Sequence, residues 1–161
     1  MEIEVKNYDI GLVTSIEADA LLITVCESIK NPIDEAVSKA APDHEFYENA
    51  IKEPIYVKSG SGHKGIKGIL YMPENPNKNN QKITKELLCE AEKLKMETIV
   101  IFSRRVGDLA GAFEIKKEAL RGLDIGIKDF IKTNPVKVKN IVIIVNGDQE
   151  SEKKLNLLLN N

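Results

Sequence analysis

The residues best suited to bind something in this chain are Arg104, Arg105, Gly107 and Gly111, in the run Ser103-Arg104-Arg105-Val106-Gly107-Asp108-Leu109-Ala110-Gly111. Two adjacent guanidiniums offer bidentate donors to a phosphate or carboxylate. Glycines let the backbone turn N–H groups toward an anion, and a helix starting just beyond adds the positive end of its dipole. An apolar run, Thr98 to Phe102, precedes the loop, and helical spacing follows it. Strand, glycine loop and helix in that order form a known anion-site geometry. The spacing fits no strict nucleotide fingerprint. The same glycines would equally serve tight packing, with both arginines in solvent.

Other candidates are weaker. Ser59-Gly60-Ser61-Gly62-His63-Lys64-Gly65 is glycine-rich and locally basic through Lys58, Lys64 and Lys67. It lacks the Gly-Lys-Ser/Thr end of a P-loop and leads into a strand, so it reads as a hairpin connection. The two cysteines, Cys26 and Cys89, form no CxxC pair and suggest neither a zinc site nor a disulfide. A nucleophilic thiol needs a base in reach, and the imidazoles, His44 and His63, cannot be placed beside Cys26 from the sequence. Both thiols read as small buried hydrophobes. Asp34-Glu35, Asp43-His44-Glu45 and Asp148-Gln149-Glu150 match no metal-ligand spacing, and acidic residues early in a helix complement its dipole without chemistry. No metal and no cofactor are expected.

These residues need elements to hold them. Ile3 and Val5 alternate with charged neighbours, as in a half-exposed strand. Gly11 to Thr14 reads as a strand end and turn before Ala20 to Val25, an apolar run of the kind found in strands covered on both faces. Pro32 opens a helix that runs to Ala40 before Pro42. Phe46 to Ile51 has the look of a short helix. Ile55 to Val57 and Ile66 to Met72 read as strands, and Pro73 to Asn77 as a break. Helical spacing covers Ile83 to Met96 and Ala112 to Lys132. Thr98 to Phe102 and Val138 to Val145 read as buried strands, Asn146-Gly147-Asp148 as a turn, and Glu152 to Leu159 as a closing helix. The alternation predicts an α/β chain, a three-layer α/β/α sandwich with a mixed, centrally parallel sheet and one domain over 1–161. Ligands in such folds sit at the carboxyl ends of strands, here after Val25, Phe102 and Val145.

Composition narrows the function classes. The 161 residues are 42% hydrophobic and 30% charged, with a formal net charge of −2. No global field recruits nucleic acid or anionic lipid. The longest apolar run, Ala18 to Cys26, is interrupted by Asp19 and Thr24 and is too short to span a bilayer. The first residues lack the basic and apolar regions of a secretory signal, so a cytoplasmic location is expected. High Lys, Ile and Asn usage fits an AT-rich bacterial genome.

Several local patterns resemble the macro domain, the module best known for binding ADP-ribose. Gly11-Leu12-Val13-Thr14 is similar to that family's Gly-Asp-Ile-Thr, and Asp19-Ala20-Leu21-Leu22 to its Asp-Ala-Ile-Val. Ile33 to Ala41 looks like its first helix, and Glu86 to Leu94 followed by Thr98 to Phe102 like its penultimate helix-and-strand pair. The macro-like N-terminal domain of leucyl aminopeptidases is a related resemblance. Departures fall on ligand-binding positions. Leu12 stands where the family has the aspartate that receives the adenine amino group, and it cannot accept a hydrogen bond. Ile23-Thr24-Val25-Cys26 stands in place of Asn-Ala-Ala-Asn, so Cys26 replaces an amide linked to the distal ribose and to hydrolysis. Ser28 to Pro32 replaces a glycine-rich diphosphate loop.

The resemblance therefore implies a module that binds a nucleotide, an ADP-ribose-related compound or another phosphorylated small molecule. The backbone after Val25, with Cys26, Arg104, Arg105, Gly107 and Gly111, would make the contacts. ADP-ribosyl hydrolysis is not expected. The alternative is a non-catalytic assembly domain that kept the fold and lost the pocket, its partner a separate chain or a second copy.

Overall fold

Ala20–Val25, Thr98–Phe102 and Asn140–Val145 contain almost no polar alternation, and each forms a strand buried for most of its length. The computed structural model describes residues 1–25, 32–46, 53–75, 77–103 and 115–161. Within these the strands are β1 (Glu2–Asn7), β2 (Ala20–Val25), β3 (Ile55–Lys58), β4 (Gly68–Pro73), β5 (Thr98–Phe102) and β6 (Asn140–Val145). They form one sheet in the order β1-β6-β5-β2-β4-β3, parallel throughout except for β3 against β4. The helices are α1 (Pro32–Ala40), α2 (Asn80–Lys93), α3 (Lys116–Ile131) and α4 (Gln149–Leu159).

Two apolar layers cover the sheet. On one face Leu22, Ile99, Ile101 and Ile141 meet Leu87 of α2, Leu123 of α3 and Leu155 of α4. On the other, Leu21, Ile23 and Val100 meet Val13 and Val37, the latter from α1. The result is the expected α/β/α sandwich with a mixed, mostly parallel sheet. α2 and α3 approach closely: a Cβ at Gly126 would lie 2.7 Å from the Gln81 carbonyl oxygen and 3.0 Å from Thr84 Cβ.

Several boundaries differ from the sequence reading, each for a local reason. Ile10–Ser15 is a short 3-10 helix, not a strand end, because the Asp9 side chain caps its first turn through Gly11 N–H at 2.8 Å. α2 begins at Asn80 and α4 at Gln149, ahead of their apolar periodicity, since Asn79 accepts from Lys82 N–H and Asp148 from Ser151 N–H. β6 starts at Asn140, not Val138, because Val138 N–H is already committed to the Glu92 carboxylate at 2.9 Å. Residues 47–51 of the helix expected at Phe46 to Ile51, and the first residues of the one at Ala112, fall outside the described residues.

The glycine-rich loop does join antiparallel β3 and β4. It lies against the 3-10 helix: His63 Nε2 sits 3.1 Å from the Thr14 carbonyl, and Ile66 N–H donates to that same oxygen at 3.1 Å. Gly65, at φ +118°, has no room for a side chain there.

Carboxylates stitch the elements together. Asp19 accepts from Glu97 N–H at 2.8 Å and Thr98 N–H at 2.9 Å, and the Lys67 ammonium lies 3.3 Å away. Desolvation opposes its charge, but those backbone donors and Lys67 outweigh it and hold the carboxyl below its usual range. Glu92, at the end of α2, accepts from three successive amides, Val136, Lys137 and Val138, at 2.8–3.0 Å. Partial burial works against its charge too, and the three amides again prevail and lower its pKa.

A folded-state pKa below the unfolded value means stability that is complete above the unfolded value and lost as pH falls through the folded one. The reference values are 3.8 for Asp19 and 4.5 for Glu92. Urea unfolding should therefore show stability falling as pH drops below about 4.5, with Asp19→Asn and Glu92→Gln each flattening that slope. At neutral pH each variant should lose about 1–3 kcal/mol, the scale of hydrogen bonds to a charged group.

Candidate functional site

The sheet is two halves, β1-β6-β5 and β2-β4-β3, joined where β2 meets β5. That junction has three Cα partners: Ala20 with Ile99, Leu21 with Val100, and Leu22 with Ile101. Both strands continue past it, each with its other neighbour. Ile23, Thr24 and Val25 pair with Tyr71, Met72 and Pro73 of β4. Phe102 pairs with Ile144 of β6, and Ser103 N–H donates to the Ile144 carbonyl at 3.0 Å. After β2 the chain proceeds toward β4 and β3, and after β5 toward β6. The ends of β2 and β5, no longer paired with each other, therefore flank a topological switch point, the place where open α/β sheets bind ligands.

The segments that carry the sequence-predicted residues follow directly on these two strand ends in the chain. Cys26 follows Val25, and Arg104, Arg105, Gly107 and Gly111 follow Ser103. All five lie outside the described residues.

The described residues around the crevice are held firmly. Asn80, only 4% exposed, donates from Nδ2 to the Ser103 carbonyl at 3.3 Å and the Ala119 carbonyl at 2.8 Å. One amide thus ties the start of α2 to the end of β5 and the first turn of α3. Thr24 Oγ1 donates to the Glu74 carboxylate, and Glu74 N–H to the Val25 carbonyl at 2.8 Å. Ile23 is in the core, on the α1 face. Of the positions aligned with the family's two amides, Ile23 supplies packing and Cys26 lies outside the described residues, while Thr24 between them makes the cross-strand hydrogen bond. Ile10 N–H donates to Asn146 Oδ1 at 3.2 Å, which fastens the 3-10 helix to the end of β6. On that helix Leu12 is 57% exposed, an apolar side chain presented to solvent.

Sequence reasoning missed a set of basic residues at the same edge. Lys116, Lys117 and Lys154 surround a hollow of about 220 Å³ beside the first turns of α3 and α4. Lys116 Nζ lies 2.6 Å from Asp148, which also receives Ser151 N–H and Oγ. The Lys116 ammonium, with Ser151 behind it, holds the Asp148 carboxyl far below the usual range. The only signal in the sequence was Lys116-Lys117 at the start of a helix, which reads as an ordinary solvated face.

The other candidates resolve as structure. His44 Nε2 lies 2.7 Å from Tyr71 Oη, with Phe46 against both rings. His63 is on Thr14, and Cys89 is half-buried against the core. Among the described residues, no group of three or more His, Cys, Asp or Glu could hold a metal, and no helix is long and apolar enough to cross a membrane. A wider groove of about 730 Å³ lies at the opposite, amino edge of the sheet. Its walls mix Lys64, Lys67 and Lys95 with Glu17, Asp19 and Glu97, and Asp19 is already committed to the β2–β5 junction.

No protein-family model matches the sequence, and no curated protein matches it. Solved structures do match. The macro domain of ganglioside induced differentiation associated protein 2 is similar over 98% of this chain and 84% of that one, with a TM-score of 0.72 and 15% identity. A Trypanosoma brucei macrodomain in complex with ADP-ribose matches 97% of this chain and 68% of its own, with a TM-score of 0.70 and 12% identity. The Oceanobacillus iheyensis macrodomain with MES bound matches 98% and 89%, at 0.64 and 13%. The chain has a macro-domain-like fold. At these identities the likeness is one of fold.

Asn80 provides a check on how the edge is held. Asn80→Ala leaves two buried carbonyls without this donor and should cost about 1–3 kcal/mol in urea unfolding. Asn80→Asp should cost more, because a buried carboxylate would face two carbonyl oxygens.

Proposed function

We propose that this chain is a non-catalytic binding module for a nucleotide or another phosphorylated small molecule, ADP-ribose-related compounds included. The ligand sits in the crevice between the ends of β2 and β5. The observation that carries the reading is the early end of the β2–β5 ladder at the switch point. It occurs in a fold similar over 97% of the chain to a Trypanosoma brucei macrodomain solved in complex with ADP-ribose.

In this reading the anion supplies most of the affinity. The backbone following Val25, including Cys26, meets the ligand from one side; Arg104, Arg105, Gly107 and Gly111 meet it from the other. Guanidiniums and glycine-freed N–H groups suit a phosphate and carry no base preference. Leu12 offers the purine amino group no acceptor, so adenine is weakly preferred or not preferred at all. ADP-ribosyl hydrolysis stands outside the proposal because Ile23 and Cys26 stand where the family has its two amides, and neither side chain can take an amide's part.

A thermal-shift screen with ADP-ribose, ADP, other nucleotides and inorganic phosphate tests this. A ligand at a hundred times its Kd should stabilise the native state by about 2.7 kcal/mol. Arg104→Ala with Arg105→Ala should abolish the shift, and Leu12→Asp should raise the preference for adenine over other bases. A flat screen across all ligands would overturn the reading and favour the assembly domain. Binding untouched by the arginine pair would remove the second loop from the site.

A further inference from the structure

The sheet has two outer edges, and they are not equivalent. β3 is four residues long, follows Pro54, and carries Lys58 as its one charge. β1 reads Glu2-Ile3-Glu4-Val5-Lys6-Asn7 and alternates in both polarity and sign. Glu2 N–H donates to the Lys139 carbonyl at 2.7 Å and Tyr8 N–H to the Val145 carbonyl at 3.1 Å. Parallel strands keep one residue's N–H and C=O on the same side and alternate sides along the chain. The even residues of β1 therefore bond β6, and Ile3, Val5 and Asn7 turn their backbone groups outward. Among the described residues no strand pairs with that outer side. Ile3 and Val5 are only half-buried, against the apolar layer under α2, α3 and α4.

We propose that β1 pairs antiparallel with β1 of a second copy of this chain, about a two-fold axis through Val5. The charges select this register. With the axis at Val5, Glu4 lies directly opposite Lys6 of the second copy, and Lys6 opposite its Glu4. These are the non-hydrogen-bonded pairs, where side chains across an antiparallel ladder come closest. Val5 faces Val5, Ile3 faces Asn7, and Ile3 and Val5 gain apolar cover from their diagonal neighbours. An axis at Glu4 would set Glu4 against Glu4, and an axis at Lys6 would set Lys6 against Lys6. Like charges directly opposite are destabilising.

Within one chain the Lys6 ammonium already lies 3.8 Å from Glu4. Pairing turns that contact into a square of alternating sign. Charges on an edge strand ordinarily deter pairing. A self-complementary alternation deters the registers centred on Ile3, Glu4 and Lys6, each of which sets like charges opposite, and the resulting interface is isologous and closed.

Sedimentation velocity and light scattering across a concentration series test the proposal. The wild-type chain should dimerise, with protection of the Ile3, Val5 and Asn7 amides from hydrogen exchange rising with concentration. Lys6→Glu and Glu4→Lys should each weaken the dimer by about tenfold or more, since two symmetric pairs turn repulsive. The double variant Glu4→Lys with Lys6→Glu restores both opposite pairs and should return the dimer to within a few-fold of wild type. Val5→Pro removes an outward N–H and leaves the β6 ladder intact, so it should give a folded monomer by circular dichroism. A wild-type chain that stays monomeric at every concentration overturns the proposal. So does a dimer indifferent to the single reversals, or a charge swap that fails to rescue. Amides at Ile3, Val5 and Asn7 that exchange freely at high concentration overturn it without recourse to any variant.

Discussion

The rest of the structure depends on how β2 is held to β5. This ladder has three Cα partners and joins two halves of a sheet whose other parallel pairings have five or six. Asp19 makes up the deficit at the amino end. Its backbone N–H reaches the Thr98 carbonyl at 2.8 Å, and its carboxylate takes the next two amides on that side. The amino end is thereby closed and the carboxyl end left to open. One residue's hydrogen bonding thus holds the halves together at the amino end, while on the carboxyl side the ladder stops at Leu22 and Ile101. Packing does the remainder: α2 and α3 meet across Gly126, close enough for the Asn80 amide to span from β5 to α3.

The central strands and the layered architecture were legible in the sequence for a simple reason. A strand buried on both faces must be apolar along its whole length, and Ala20–Val25 and Thr98–Phe102 satisfy this with side chains that have few other uses. Element starts were less legible because they are set by side chains outside the periodic run. Asn79 and Asp148 each extend a helix toward its N-terminus by capping, and Glu92 claims amides that would otherwise lengthen β6. The 3-10 helix at Ile10–Ser15 carries no periodic signature; it follows from a single Asp9 contact. Strand order was out of reach, since nothing local in β6 states that it lies between β1 and β5.

The carboxyl edge was legible in the sequence as the end of two apolar strands, whereas the five candidate contact residues lie outside the described residues. The carboxyl edge follows from topology alone. The individual polar residues do not sort themselves, because the same chemistry serves caps and clamps. Asp148 could have been an acid or a metal ligand on type; in place it caps α4 and pairs with Lys116. His44 and His63 could have been bases; they bond to Tyr71 and to the Thr14 carbonyl. Asp19, within the Asp-Ala pattern shared with macro domains, lies at the edge opposite the crevice and acts on the sheet. A carboxylate that accepts several backbone N–H bonds is held ionised by them, so its lowered pKa marks a structural role as readily as a catalytic one.

The proposed ligand site and the proposed self-pairing use different parts of the sheet, so the two would not compete. The proposed ligand site lies at strand ends between β5 and β2, whereas the proposed pairing uses the side of β1, with β6 and β5 in between. Pairing adds strands in the plane of the sheet and leaves its carboxyl edge open, so each copy in a dimer would present its crevice. Because the two-fold axis reverses strand direction, the two crevices would open toward opposite ends of the extended sheet. A module that had lost selectivity at one purine position would regain effective affinity for a ligand displayed in many copies, through two sites on one rigid body. That gain requires the copies to be joined through the sheet, whose hydrogen-bonded continuity fixes the angle between sites more firmly than helix contacts would.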